Sequence, residues 1–162
     1  NRAVSVIYTS LSSGSAAREL VPHAIVDNGL RWHVRAFDRK SQSFRDFVLT
    51  RVSKVTLKSE PAANELAEYD SEWHRMIPLQ LVPHPKNVSF PTAIEMDYGM
   101  ENSQLLINVR AAMAGYLLRR WNVDCTERGT LEGAEYQLWL QNRFTLRDVD
   151  NLAIAPGYAE LK

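Results

Sequence analysis

The residues predict a mainly β chain with an α+β C-terminal part, and three observations carry that prediction. The first third reads as short β-branched and aromatic runs cut by turn clusters; helix formers gather only after Pro61; the last third mixes one strong helical stretch with brief strand patterns. Four or five short strands in residues 1–58 predict a small antiparallel barrel, an arrangement that leaves no sheet edge exposed.

The elements follow in order. Val4-Ser5-Val6-Ile7-Tyr8 is a strand, Ser12-Ser13-Gly14-Ser15 a turn, and Glu19 to Val26 a second strand ending at Asp27-Asn28-Gly29. Asn-Gly tolerates positive φ and so favours a hairpin into Leu30 to Phe37. A polar turn at Arg39 to Ser43 leads to Phe44 to Leu49, and Val52 to Leu57 is a last short strand. Composition shifts at Glu60-Pro61, where a domain boundary is placed; Pro61 suits a first helical turn and Ala62 to Tyr69 is rich in helix formers. After a proline-punctuated stretch from Pro78 to Pro91, Ala93 to Asp97 and Gln104 to Val109 flank Tyr98-Gly99 and read as a hairpin. Arg110 to Trp121 reads as a helix, with Ala112, Tyr116 and Leu117 on one side and Arg119 and Arg120 at its cation-favouring C-terminus. Glu135 to Leu140 is a further strand. The organisation expected is therefore a barrel over 1–58, a helix and linker over 59–92, and an α+β region over 93–162.

The chain's 162 residues are 45% hydrophobic and 23% charged, ordinary for a globular protein. No apolar run reaches the roughly 18 residues of a membrane span, and the chain reads as soluble and cytoplasmic, with no membrane partner. The single Cys125 allows no internal disulfide and reads as a small buried hydrophobe. The start at Asn1, almost directly on a strand, suggests an excised fragment. The 19 basic and 19 acidic residues are unevenly spread: residues 1–58 hold ten Lys and Arg against four Asp and Glu, a net of +6, and the remainder carries −6. A basic first half favours an anionic partner such as phosphate or nucleic acid, whose charge a focused positive field attracts.

Alternation along the third strand puts Trp32, Val34 and Ala36 on an apolar face and Arg31, His33, Arg35 and Phe37 on a cationic one. On the fourth strand Arg45, Phe47 and Leu49 align, with Arg51 beyond. If Arg35 and Arg45 meet across the sheet, their guanidinium groups repel unless an anion sits between them. Alternatively each Arg pairs with a carboxylate such as Asp38 or Asp46. Removal of Arg35 or Arg45 is then expected to abolish an anion response and leave the fold intact. Tyr8, Trp32 and Phe37 have rings able to stack on bases, Trp32 being the one most suited to the core. The hydroxyls of Ser10, Ser12 and Ser13 suit a phosphate or a plain turn. His23 and His33 could serve as a general acid and base in a phosphodiesterase or nuclease; His74 and His84 read as packing or surface residues. No metal-ligand array, nucleophile elbow or phosphate-binding glycine loop occurs, so neither metal nor cofactor is expected and no residue is assigned a catalytic role.

Taken together, Ile7-Tyr8, Arg18, Val21-Pro22-His23, Leu30-Arg-Trp-His-Val-Arg-Ala-Phe37 and Phe44-Arg-Asp-Phe-Val-Leu-Thr-Arg-Val52 resemble the WYL domain, with Trp32-His33-Val34 at the place of the Trp-Tyr-Leu tripeptide. Pro22 to Asp38 is similar to the branch found in BrxR- and CapW-type regulators of phage-defence islands, and the likeness continues through Trp73, Pro83-His84-Pro85, Asp97-Tyr98-Gly99 and Arg110 to Arg120. The resemblance implies an Sm-like, SH3-type barrel, a C-terminal dimerisation region, a homodimer, and a repressor whose operator DNA is bound by an N-terminal winged helix-turn-helix outside this chain. It also implies an anionic nucleotide or single-stranded nucleic-acid effector. The implied ligand pocket is Tyr8, Ser10, Ser12, Arg18, His23, His33, Arg35, Arg45 and Arg51. His33 stands where the family tyrosine does, which makes binding sensitive to pH near neutrality. The alternatives from the residues themselves are a nuclease using His23 and His33, or a purely structural dimerisation module.

Overall fold

Alternation in the first strand, Val4–Ser10 (β1), sends Val4, Val6 and Tyr8 to one face, and the neighbouring strands supply the matching apolar side chains. The computed structural model describes residues 2–158. The chain divides into two compact units, residues 1–71 and 72–162.

In the first unit a tight turn with Gly14 at φ +68°, a conformation glycine adopts without strain, leads into the long strand β2 (Gly14–Asp27). The first half of β2 pairs antiparallel with β1 and its second half with β3 (Trp32–Asp38). The hairpin between them is built as expected at Asp27-Asn28-Gly29, where Gly29 N–H donates to the Asp27 carboxylate and Leu30 N–H to the Asn28 side chain. β3 pairs with β4 (Ser43–Val48), and a single 3₁₀ turn at Leu49–Arg51 carries the chain to β5 (Val52–Leu57), which returns to β1. The sheet order β4-β3-β2-β1-β5 leaves no ladder between β4 and β5, so the expected closed barrel is an open one. The Tyr8 hydroxyl bridges part of the gap by accepting the Val48 N–H at 3.3 Å. Val6, Leu20, Ala36 and Phe47 fill the interior, and Ala3, Val21 and Phe37 form a smaller cluster on the outer face.

The helix expected from Ala62 to Tyr69 is instead two 3₁₀ turns, Ala63–Glu65 and Ala67–Tyr69, joined through extended Leu66. Tertiary pairing overrides helix propensity here. Glu65 reaches back to the Ala62 N–H at 2.9 Å and grips the Arg39 guanidinium with both oxygens at 2.8 Å, contacts that a continuous helix would not deliver together.

After a one-turn helix at Ser71–His74 (α1), the second unit is organised by β6 (Met76–Pro83), which lies inside residues 59–92, read above as helix and linker, and runs into the proline-punctuated stretch. It pairs with β7 (Leu105–Arg110) on one side and β8 (Leu138–Leu140) on the other. The expected hairpin strand at Ala93 to Asp97 is a helix, α2 (Pro91–Tyr98). Pro91 stands at its first turn and Gly99 ends it in the left-handed region, which are helix start and stop signals. The predicted long helix is present as α3 (Ala111–Arg120). Ile77, Leu79 and Leu81 of β6 pack with Ala111, Ala114 and Leu118 of α3 and with Leu138 and Leu140 in one apolar core. Full burial of each leucine contributes roughly 1.5–3 kcal/mol. No helix among the described residues is long and apolar enough to cross a membrane.

Candidate effector site in the first unit

The nine residues singled out above divide into three groups, because β register and a bulge decide where each side chain goes. Cross-strand partners share a face, and the β3–β4 register sets Arg35 opposite Asp46 and Ala36 opposite Arg45. Arg35 and Arg45 are therefore on opposite faces, which overturns the expectation that they confront one another across an anion.

Arg35 belongs to the outer face, where it is 4% exposed. Its Nε and Nη2 donate to the two oxygens of Asp70 at 2.6 and 2.9 Å, and its Nη1 donates to Asp46 at 3.2 Å. The register of β2 shifts between Pro22 and Ala24, so His23 is the extra residue of a β-bulge. His23 reaches Asp70 through Nε2 at 3.0 Å, and its ring meets Phe44 edge-on. Asp70, which sequence reasoning missed, is the hub of this buried network. Its only sequence signal is a carboxylate in a segment that is otherwise rich in helix formers, 35 residues from the Arg it holds.

On the interior face, Arg18 donates to the fully buried Asp38 at 2.9 Å. Asp38 also accepts the Ser41 hydroxyl and the Lys40 N–H. Asp38 and Asp46 are thus the carboxylate partners that the residues allowed for.

The third group lies around the Leu49–Arg51 turn. Val48 is opposite His33, its N–H is bound by Tyr8, and Tyr8 is opposite Val52, beside Arg51. The Tyr8 ring stands edge-on to Phe47 at 5.0 Å. Ser10 follows on the Tyr8 face at the end of β1, with its hydroxyl 3.1 Å from that of Ser12. His33 is 5% exposed, and burial holds its imidazole below the ordinary value; the positive charges of Arg31 and Arg51 act in the same direction, and Asp46 opposes them. Arg31, Arg45 and Arg51 form no ion pair with a described carboxylate, unlike Arg18, Arg35 and Arg39. Trp32, expected in the core, is instead 54% exposed. It stands at the start of β3 opposite Asp27, close to exposed Ile25 and Leu30. Phe37, by contrast, is buried, so of the three rings considered for stacking Trp32 is the exposed one.

Among its described residues the second unit offers no comparable group. His84 is fully enclosed: its Nδ1 accepts the Lys86 and Asn87 N–H groups and its Nε2 donates to Asp124 at 3.0 Å, which assigns it a structural role. Burial pushes Asp124 up, but hydrogen bonds from Thr126, Leu131 and His84 outweigh it and hold the carboxyl below its usual range. The buried Cys125 thiol is pushed up to about 12 by burial and by Asp124, and is inert. No cluster of His, Cys, Asp and Glu among the described residues is arranged to hold a metal.

The first unit is an open β-barrel and the second an α+β unit, and comparison with known proteins places both in a family of transcriptional regulators. Residues 1–57 match the WYL domain, and residues 76–146 match the BrxR transcriptional regulator C-terminal dimerization domain. The chain belongs to the WYL-domain regulators of the BrxR/CapW-like branch. It is 34% identical over 148 residues to the DNA-binding transcriptional repressor CapW of Pseudomonas aeruginosa, covering 90% of this chain and 48% of that protein. It is 35% identical over 145 residues to the CapW repressor of Escherichia coli strain KTE188, covering 88% and 48%. The chain thus spans about half the length of the curated relatives it matches. A solved structure, proteasome accessory factor B/C of Arthrobacter aurescens, aligns at 15% identity with a TM-score of 0.36, covering 90% of this chain and 23% of that one.

Proposed function

We propose that this chain is the sensing and self-associating part of a cytoplasmic transcriptional repressor of a phage-defence operon. An anionic effector, a nucleotide or a short single strand of nucleic acid, binds the cationic end of the first unit and changes the protein's hold on operator DNA. DNA contact belongs to an N-terminal winged helix-turn-helix segment of the longer protein. The observation that carries the reading is the division among the arginines. Arg18 and Arg35 are committed to buried carboxylates, whereas Arg31, Arg45 and Arg51 keep their charge uncompensated by a described carboxylate, two of them acting on His33.

In this reading Tyr8, Ser10, Ser12, His33 and Arg51 contact the effector, joined by Arg31, and Trp32 supplies a stacking surface for a base; Arg45, set opposite Ala36 and so on the other face of the sheet from His33, contributes only to the field that attracts an anion. Arg18, His23 and Arg35 are the frame that holds the strands in place. Arginine suits this task because its planar fork meets two phosphate oxygens at once. The nuclease alternative is disfavoured, since the His23 side chain is 3% exposed and bound to Asp70. The effector couples to DNA binding only to the extent that its affinity differs between the two states of the repressor.

The test is isothermal titration of the chain with short single-stranded oligonucleotides and cyclic nucleotides at low and moderate salt. Saturable binding that weakens with salt and is lost in Arg51→Ala and Arg31→Ala is the expected result. Binding should also tighten as pH falls below about 6.5, because burial keeps His33 neutral above that before the effector binds and an anion beside it favours its protonated form. Wild-type affinity in both Arg variants, or no binding across the panel, would sink the proposal.

A further inference from the structure

We propose that the outer edge of β7 is the surface on which the second unit self-associates, pairing antiparallel with β7 of a second copy of this chain into one continuous six-stranded sheet. The inference rests on the dimer reading, which the match of residues 76–146 to a dimerization domain supports, and it adds which surface does the work.

An edge strand leaves half its backbone N–H and C=O groups unpaired, and soluble proteins guard such edges with charge, bulges, proline or brevity. Among the described residues the two sheets have four edges, and three of them are guarded. β4 carries Arg45 and Asp46. β5 is broken in register and has Lys54 at φ +51°. β8 is only three residues long.

β7 has none of these defences. Its sequence, Leu-Leu-Ile-Asn-Val-Arg, lacks proline, glycine and acidic residues, and its pairing with β6 runs in unbroken register from Leu105 opposite Leu81 to Arg110 opposite Met76. The one charge, Arg110, is turned inward to its own unit, with the guanidinium 4.6 Å over the Trp73 ring and bonded to the Trp73 carbonyl. No described backbone hydrogen bond uses the free edge of the strand.

The side chains fit the same occupant. Leu105, Ile107 and Val109 face the unit's own core, so edge pairing would join two cores. The other face is a mixed strip: Leu106, 70% exposed, lies opposite Gln80, Asn108 opposite Pro78, and Arg110 opposite Met76, which is 52% exposed. Two-fold pairing presents this strip to its own copy, the self-complementary geometry of a two-fold dimer. Of the other exposed apolar side chains in the second unit, Phe90 and Met96 are on α2 or at its start and Phe144 and Ile154 are in 3₁₀ turns, so none is on a strand edge that would specify a register.

Sedimentation velocity over a concentration series decides the matter, with the wild-type chain, Leu106→Lys, Asn108→Lys and, as a control surface, Met96→Lys. The expected result is a wild-type dimer, unchanged in Met96→Lys and weakened by about tenfold or more in both β7 variants. Hydrogen exchange supplies the backbone readout: β7 amides should lose protection on dilution while those of β6 do not. A dimer that survives both β7 substitutions overturns the edge pairing and leaves the dimer reading standing. A wild-type chain that stays monomeric at every concentration overturns both.

Discussion

The two units are held together by different physics. The second has one apolar core among its described residues, running from Ile77 to Ala155, with an enclosed polar network at His84 and Asp124. The first has two small apolar clusters and a set of buried charged groups, Arg35, Asp38, Glu65 and Asp70, that must be paired to be tolerated. Apolar packing is indifferent to ions, so it suits a unit whose task is assembly. A lattice of ion pairs responds to charge and pH, which is consistent with the anion-reading role proposed for the first unit. The contrast also explains why a basic surface count misleads: much of the positive charge of residues 1–58 is neutralised internally, and only the remainder is available to a ligand.

Arg35→Ala should break this comparison most severely. Removing one partner leaves Asp70 and Asp46 buried with less compensation, a loss of about 3–5 kcal/mol. Urea denaturation should show the first unit unfolding early, whereas exposed Arg45→Ala stays within about 0.5 kcal/mol of wild type. The simple expectation that losing Arg35 silences a ligand and spares the fold is thus replaced. If Arg35→Ala proves as stable as Arg45→Ala, the charged network is not what holds the first unit.

A smaller effect, confined to the second unit, is expected from Gly115→Ala in α3. The new Cβ would lie 2.3 Å from the Asn151 carbonyl oxygen and 2.6 Å from its side-chain oxygen, which accepts the Gly115 N–H. Overpacking of this kind costs about 1–3 kcal/mol, and thermal melting resolved by unit should place the loss in the second unit. A shift in the first unit instead would show that the two are not separable in the way their cores suggest.

The smallest effect sharpens the contrast through pH. His33 is held neutral by burial and by Arg31 and Arg51, so the unfolded chain takes up a proton first. Its contribution to stability is complete above about pH 6.5 and declines as pH falls below that. Stability of wild type minus that of His33→Gln should therefore shrink between about pH 7 and pH 5 in the first unit. A difference independent of pH would remove His33 from the account.

Much of the fold is legible in local residues. The five strands of the first unit, the Asn-Gly hairpin, the helix after Arg110 and the kinship with WYL-domain regulators all follow from alternation, turn chemistry and short-range spacing, which are properties of neighbouring residues. The segment from Pro78 to Asp97 was harder because its prolines and short apolar runs fit strand, helix and linker equally. Only β6 pairing and the Pro91 and Gly99 caps resolve it.

The site needed the tertiary structure. Alternation states which residues share a face of one strand, but register decides which faces meet across strands. A shift of one residue reverses every side chain. That is why Arg35 and Arg45 part company, why a bulge turns His23 to Asp70, and why Trp32 stands in the open. Charge content was determined by the sequence alone; which charges remain for a partner was decided by carboxylates that only folding brings near, Asp70 above all.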